Sequence, residues 1–335
     1  MTETTKNIYN EVKKIIDPLY LVGGSIRDVL LGIEPKDYDF CTPHLPEEIE
    51  QKIRDVKRRP YLTGKRFGTL GVKIDGQLIE ITTFRTEVYE KNNRKPKVEF
   101  VKDISTDLSR RDFGINAIAW RDGKLIDPFG GRLDILERKI RAVGNASHRI
   151  KEDPLRMLRC ARFISQFGFE VDHYLECTIK KYSYKILHIS KERWMQELDK
   201  LLLGKEPLIA LDFLMEMKLL NYMIPELSLQ NGYDQNSPYH KYNLWKHTLK
   251  VVDATPKDIN LRWAALLHDI AKPFVRTDKK DRSNYIRHDF LGGEIIEKTA
   301  RYLKWSNERR EKVKELVVNH LAIGNELRKY DNEGK

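Results

Sequence analysis

Asp37 and Asp39, separated only by Tyr38 in "KDYDF", are the residues whose types and spacing most directly suggest chemistry. If the stretch is extended, residues i and i+2 face the same side, so both carboxylates address one site. Two carboxylates that close repel each other unless a cation lies between them. Mg2+ takes a few carboxylate oxygens and fills its other positions with water and substrate phosphate. That makes such a pair a seat for phosphoryl or nucleotidyl transfer. By itself the pair is weak evidence, because surface strands often carry two acids.

The same segment opens with Gly23-Gly24 ahead of "SIRDVLLG", which predicts a helix capped by Ser25 and stopped by Gly32. Backbone N–H groups at a helix N-terminus favour an anion, and glycine lets a phosphate approach the main chain. Arg27, one turn in, could hold a triphosphate. A tight strand-to-helix turn would need the same glycines without any ligand. Glu80, in "IEITTFR", is a third carboxylate among Ile79, Ile81 and Phe84, where an unpartnered acid is costly if buried. It either completes a metal site or pairs with an arginine such as Arg85.

These residues need elements to hold them. Ile8, Val12, Ile15 and Ile16 give residues 7–17 a helical period, "YLV" predicts a strand running into Gly23, and "YDFCT" predicts a second strand carrying the acids. "GTLGVKI" and "QLIEITTF", joined by Asp75-Gly76, predict a β-hairpin. Strands and helices mix up to about residue 144, the pattern of an α+β domain. From about residue 150, "PLRMLRCARFISQFGF", "ERWMQELDKLLLG" and "LIALDFLMEMKLL" carry a 3.6-residue period with little strand signal, so this half is expected to be all-α. The polar stretch 228–242, "SLQNGYDQNSPYHKY", reads as a linker to a last helical block. The expected division is 1–144, 145–227 and 228–335.

Composition narrows the partners. Of 335 residues, 61 are Lys or Arg and 50 are Asp or Glu, and the net charge of +11 favours a polyanionic partner such as nucleic acid. An ordinary soluble protein with a basic surface gives the same figure. Cys41, Cys160 and Cys177 form no CxxC pair, which argues against a disulfide framework or cysteine zinc site and fits a reducing cytoplasm. "MTETTKNIYNEVKKI" has no apolar signal core, and no apolar run approaches about 18 residues, so neither secretion nor a membrane span is expected. No protein partner is indicated.

In order along residues 20–200 stand "LVGGSIRDVLLGIEPKDYDF", "GKRFGT", "IEITTFR", "DLSRRDFGINAIA", "LIDPFGGRLDI", "IRAVG", "EDPLRMLRCARF" and "ERWMQEL". Together they resemble the class II tRNA nucleotidyltransferase and bacterial poly(A) polymerase family, a branch of the polymerase-β-like nucleotidyltransferases. The resemblance implies an α+β nucleotidyltransferase head, an all-α neck and body, and addition of C, C and A to a tRNA 3′ end from CTP and ATP without a nucleic-acid template. It implies that Asp37 and Asp39 bind two catalytic Mg2+ ions; Glu80, singled out above from its own strand, is kept beside them as a candidate catalytic acid. Gly23, Gly24 and Arg27 would contact the nucleotide phosphates, and Arg111 of "RRDF" would join them. Asp153 and Arg156 would read the base edges, with Arg159 and Arg162 adding contacts. On spacing alone, Asp153 and Arg156 are three apart at a helix start, share one face, and offer an acceptor and donors to a base. The tRNA 3′-hydroxyl would attack the α-phosphate, one metal lowering the hydroxyl pKa and the other steadying pyrophosphate.

One departure from the family pattern is Gly114, where "RRDF" is usually followed by Thr. "TEVYEKNNRKPKVEF", residues 86–100, with Arg94 and Pro96, resembles the flexible loop of members that add the terminal A. Full CCA addition is therefore expected, with poly(A) or A-only addition as the alternatives.

"AALLHDIAKP" places His268-Asp269 on an apolar helix, preceded by His247 and followed by His288 and His320. This order resembles the HD phosphohydrolase superfamily, and it implies a divalent metal on His247, His268, Asp269 and His288. Imidazole and carboxylate suit Ni2+, Mn2+ or Fe2+, or Mg2+ with more water. For the further Asp that HD domains usually supply downstream, the chain offers only Glu326, Asp331 and Glu333. The block is then an added phosphohydrolase, a tRNA-binding body only, or the main enzyme on an RNA-binding platform.

Overall fold

A computed structural model describes residues 1–88, 97–236 and 241–322. The chain forms two compact units, Met1–Glu152 with Glu170–Leu175, and Asp153–Phe169 with Glu176 onward.

The first unit mixes strands and helices. Its strands are β1 (Tyr20–Val22), β2 (Asp39–Thr42), β3 (Thr69–Ile74), β4 (Gln77–Thr83), β5 (Arg85–Val88), β6 (Lys97–Phe100), β7 (Ala119–Arg121), β8 (Lys124–Ile126), β9 (Lys139–Ile140) and β10 (Glu170–Val171). Around them lie α1 (Glu3–Ile15), α2 (Gly23–Leu30), α3 (Pro46–Asp55), α4 (Ile104–Ser109), α5 (Gly131–Leu136) and α6 (Ala146–Glu152). The main sheet runs β3-β4-β2-β1-β7-β8. β2 and β4 are parallel, and the other neighbouring pairs are antiparallel.

The β3–β4 hairpin follows its sequence signal. Asp75 and Gly76 both have positive φ, 47° and 83°, as a type I′ turn requires. Leu70, Val72, Ile74, Ile79 and Ile81 are buried by the resulting alternation. β5 and β6 pair antiparallel; Arg94 and Pro96 lie outside the described residues.

Two local expectations are corrected. α2 begins at Gly23 rather than after Ser25, because Gly23 adopts φ 65°, which turns the strand straight into the helix. Ser25 is no cap: its hydroxyl donates to Asp37 O at 3.1 Å and accepts from Asp39 N at 2.8 Å. Only Asp39 belongs to β2, and Asp37 lies in the bend before it. The i, i+2 argument for a shared face therefore does not apply. Gly32, with φ 72°, does end α2 as expected.

Gly114 and Gly131 mark a close approach. A Cβ on Gly131 would overlap the carbonyl oxygen of Gly114 and lie 2.8 Å from Ile118 Cγ1, and one on Gly114 would overlap the Asp134 carboxylate. Asp134 thus occupies the volume a threonine at 114 would need.

The second unit is helical: α7 (Arg156–Phe167), α8 (His173–Tyr182, whose first turn belongs to the first unit), α9 (Lys191–Leu202), α10 (Pro207–Glu216), α11 (Leu220–Met223), α12 (Pro225–Ser228), α13 (Leu244–Ala254), α14 (Ile259–Leu267), α15 (Lys272–Val275), α16 (His288–Tyr302) and α17 (Asn307–Val318). Trp194 and Trp263 are fully buried, and Trp263 donates its indole N–H to Asp199 Oδ1 at 2.8 Å. The 228–242 stretch is more than a linker. Gln230 and Gln235 are buried, Gln230 accepts from the Thr248 hydroxyl at 2.8 Å, and Gln235 accepts from Lys272 at 2.9 Å. Among the described residues, no helix is long and apolar enough to cross a membrane.

Gly131→Ala is expected to destabilise the first unit by about 1–3 kcal/mol, the range for overpacking a tight contact, read from denaturant unfolding.

Candidate functional site

The parallel pairing of β2 with β4 sets Asp39 directly opposite Glu80, and in parallel strands opposite residues share a face. Asp39 is accessible to water, yet protein walls its other sides. That crowding raises its carboxyl above the ordinary aspartate value; Glu80 and Asp37 push the same way, while Arg111 and Arg27 oppose them. The acids are therefore close enough to repel, but they are not gathered into one tight cluster. Among the described residues, the groups of three ligand atoms within 4.8 Å of one another lie in the helical unit.

Gly23 is the floor between Asp39 and a basic wall. The positive φ favours glycine here, and a Cβ would be 2.6 Å from Arg111 Nη1 and 3.7 Å from Asp39 Oδ2, so a side chain would displace the guanidinium. No side chain caps the N-terminus of α2; Gly23 N–H donates to Ile118 O at 3.3 Å, and the amides that follow it in the first turn are suited to an anion. Arg27 is buried in α2, donating to Asn116 Oδ1 at 2.7 Å and to Asp28 Oδ1 at 2.7 and 2.9 Å. Asn116 in turn donates to Asp112 Oδ1 at 3.0 Å. Arg111 donates to Asn116 O and to Asp107 Oδ2, each at 3.3 Å. Asp107, Asp112 and Asn116 lie within "DLSRRDFGIN", but their holding of the arginines depends on tertiary contacts that spacing does not reveal.

In the helical unit Asp153 precedes α7 rather than standing on it, so the shared-helix-face argument is corrected. Its Oδ1 accepts from Leu155 N at 3.1 Å, an Asx-turn contact in the turn ahead of the helix. Its Oδ2 pairs with Arg193 of α9 at 2.8 Å. Arg156 and Arg162 are buried and Arg159 is half-buried. Arg162 pairs with Glu197 at 3.2 Å and lies over the Phe163 ring at 4.5 Å. Arg193 and Glu197 were not identified from the sequence, although both stand in "ERWMQEL".

A third assembly gathers at helix ends. His247 comes from α13, His268-Asp269 follow α14, His288 starts α16 and His320 follows α17. Asp269, with a side chain 2% exposed, is the centre. Its Oδ2 faces His268 Nε2 at 3.0 Å, His247 Nε2 at 3.5 Å and Lys272 Nζ at 2.8 Å. Its Oδ1 faces His288 Nε2 at 3.2 Å and His320 Nε2 at 3.8 Å. Burial alone would raise the Asp269 carboxyl, but the imidazoles and Lys272 hold it well below the usual range. Burial and the neighbouring histidines lower His320, favouring neutral imidazole.

The Nδ1 atoms of His268, His288 and His320 donate to Ala265 O, Tyr285 O and Val317 O at 2.8, 2.7 and 2.6 Å. A carbonyl can only accept, so each neutral ring keeps its lone pair on Nε2. The Nε2 atoms of His288 and His320 are 3.2 Å apart. Two lone pairs that close need a shared proton or a cation between them, so the donor set fits a divalent metal. The structure brings His320 into this set beside the four expected ligands, and adds Lys272.

The fold and the first unit's site define a poly(A)-polymerase-type nucleotidyltransferase head. The family described as Poly A polymerase head domain matches residues 19–141, Probable RNA and SrmB-binding site of polymerase A matches 168–230, and HD domain matches 240–333. The crystal structure of the Bacillus stearothermophilus CCA-adding enzyme in complex with CTP superposes with a TM-score of 0.71 at 31% identity, over 96% of this chain and 71% of that one. The CCA-adding enzyme of Bacillus cytotoxicus is 44% identical over 206 residues, 61% of this chain, and that of Geobacillus thermodenitrificans is 38% identical over 269 residues, 78% of this chain. The chain belongs to the CCA-adding enzyme family. It spans 51% and 62% of the lengths of those two curated relatives.

Adding Ni2+ or Mn2+ to metal-stripped protein is expected to raise the unfolding temperature of wild type but not of Asp269→Asn, measured by differential scanning fluorimetry.

Proposed function

We propose that the chain adds C, C and A to tRNA 3′ ends from CTP and ATP in the cytoplasm, with no nucleic-acid template. The observation that carries this reading is the Asp39–Glu80 register beside Gly23 and Arg111, at the N-terminus of an uncapped helix. Crowded carboxylates next to an anion-binding helix end and two held arginines suit a metal-bound nucleoside triphosphate. Likeness to a CTP-bound relative supports the same substrate class. The three free cysteines are consistent with a reducing compartment.

In this reading Asp37, Asp39 and Glu80 hold two Mg2+ ions. Bound there, Mg2+ supplies charge neutralisation for the attacking 3′-oxygen and the departing pyrophosphate. The N-terminal amides of α2, with Gly23 and Gly24 leaving room, and Arg27 and Arg111 orient the triphosphate. Asp153 and Arg156 distinguish the base edges of CTP and ATP by acceptor and donor, with Arg159 and Arg162 in support. The working division is a catalytic head at 1–144, a recognition segment at 145–227 and an HD-type domain at 228–335. In the last of these, His247, His268, Asp269, His288 and His320 hold a second divalent metal for a phosphohydrolase activity. Imidazole-rich donors favour a transition metal over Mg2+.

Asp39→Ala should reduce extension of a tRNA lacking CCA by at least a thousandfold, whereas His268→Ala should leave extension within about twofold of wild type, both read on sequencing gels. If His268→Ala removes the only detectable activity and Asp39→Ala changes nothing, the phosphohydrolase is the main function and the head is an RNA platform.

A further inference from the structure

Asp107 has a place in the head that the reaction as described does not use. It stands on the short helix α4, which Asp103 caps by accepting from Thr106 N at 2.9 Å. Next to it Leu108 packs in the core with Val22, Cys41, Phe84, Ala117, Ala119 and Val143. The Asp107 side chain is 1% exposed. An isolated carboxylate at that depth would be strongly disfavoured, and Asp107 is satisfied from three directions. Oδ1 accepts from the Arg85 backbone N at 3.1 Å and from Arg110 Nε and Nη2 at 3.1 and 2.8 Å, while Oδ2 accepts from Arg111 Nη2 at 3.3 Å. The Arg85 and Arg110 contacts anchor the carboxylate, and the fourth bond turns that fixed position into a restraint on Arg111.

That restraint matters because of what Arg111 would otherwise meet. Its Nη1, held by Asn116 O, and Asp39 Oδ2 flank the same point beside Gly23, 2.6 and 3.7 Å from it. No side chain stands at Gly23 to separate the guanidinium from that carboxylate. An arginine loose at this position would close on Asp39 as a direct ion pair. Such a pair would occupy the oxygens needed for a cation and withdraw the guanidinium from the triphosphate.

We propose that Asp107 is a positioning residue: it holds Arg111 between Asp107 Oδ2 and Asn116 O, off Asp39, so that Asp39 stays available to metal and Arg111 to the nucleotide phosphates. The proposal rests on the nucleotidyltransferase reading above. It adds that the arginine's competence depends on a buried acid that itself touches neither metal nor nucleotide.

The test is a double-mutant cycle on Asp107→Asn and Arg111→Ala, with two readouts. One is the Kd for CTP by calorimetry in EDTA; the other is the Mg2+ concentration giving half-maximal C addition to tRNA. Asp107→Asn should weaken metal-free CTP binding about tenfold, the loss of one charge-assisted contact, and raise the Mg2+ requirement several-fold. In the Arg111→Ala background it should change neither. A merely structural role would lower Tm and leave the CTP Kd and Mg2+ requirement unmoved, or shift them equally in both backgrounds, and either result overturns the proposal. Asp107→Glu keeps the charge and serves as the folded control. It should hold the CTP Kd within about threefold of wild type, and a loss as large as that of Arg111→Ala also overturns the proposal. If wild type itself neither binds CTP nor extends tRNA, the functional reading fails first, an outcome distinct from all of these.

Discussion

The first unit depends on one electrostatic constraint: Asp37, Asp39 and Glu80 carry like charge at one end of a sheet, and the sheet cannot spread them apart. Parallel pairing of β2 and β4 fixes Asp39 beside Glu80, and the Ser25 hydroxyl ties both Asp37 O and Asp39 N to α2. With the backbone held, the repulsion is relieved by a raised Asp39 carboxyl or by nearby positive charge. Arg111 and Arg27 supply part of it, and each is fixed at its rear, Arg111 by Asp107 and Arg27 through Asn116 to Asp112. Acids at the front and acids behind the arginines make a layered arrangement in which a cation at the front is favoured.

The helical unit solves a related problem with different residues. Asp269 is nearly inaccessible and would be costly alone; the Lys272 ammonium meets one of its oxygens, and the four Nε2 atoms around both oxygens call for a proton or a metal cation among them. Backbone carbonyls in the last turns of α14 and α17 and in the loop ahead of α16 fix the ring tautomers, so the donor atoms are set by the fold before any ion arrives. Oxygen-rich and imidazole-rich sites on one chain thus favour different metals.

The sequence was most informative where chemistry and backbone are local. The Asp75-Gly76 hairpin, the strand entering Gly23 and the His268-Asp269 pair all rest on neighbours in the chain. It misled where a polar residue had two local uses. Ser25 looked like a cap because serine before an apolar helix usually is one, but Gly23 starts the helix earlier and frees the hydroxyl for β2. Asp153 looked like part of a helix face, yet it is used before the helix and paired to Arg193, 40 residues away. The partners that orient the site, Asp107 for Arg111, Glu197 for Arg162 and Gln235 for Lys272, could not be read because their roles arise only from tertiary contact. The charged character of Asp107 was visible, but its burial was not.

The central proposal is that the chain adds C, C and A to a tRNA 3′ end and then stops. The most direct measurement offers purified protein and Mg2+ a tRNA ending at the discriminator base, with CTP alone, ATP alone and both, and counts the residues added. The account predicts two C with CTP alone, no addition with ATP alone, and C, C, A and no more with both. Runs of A with ATP alone, or on an arbitrary RNA, would contradict it.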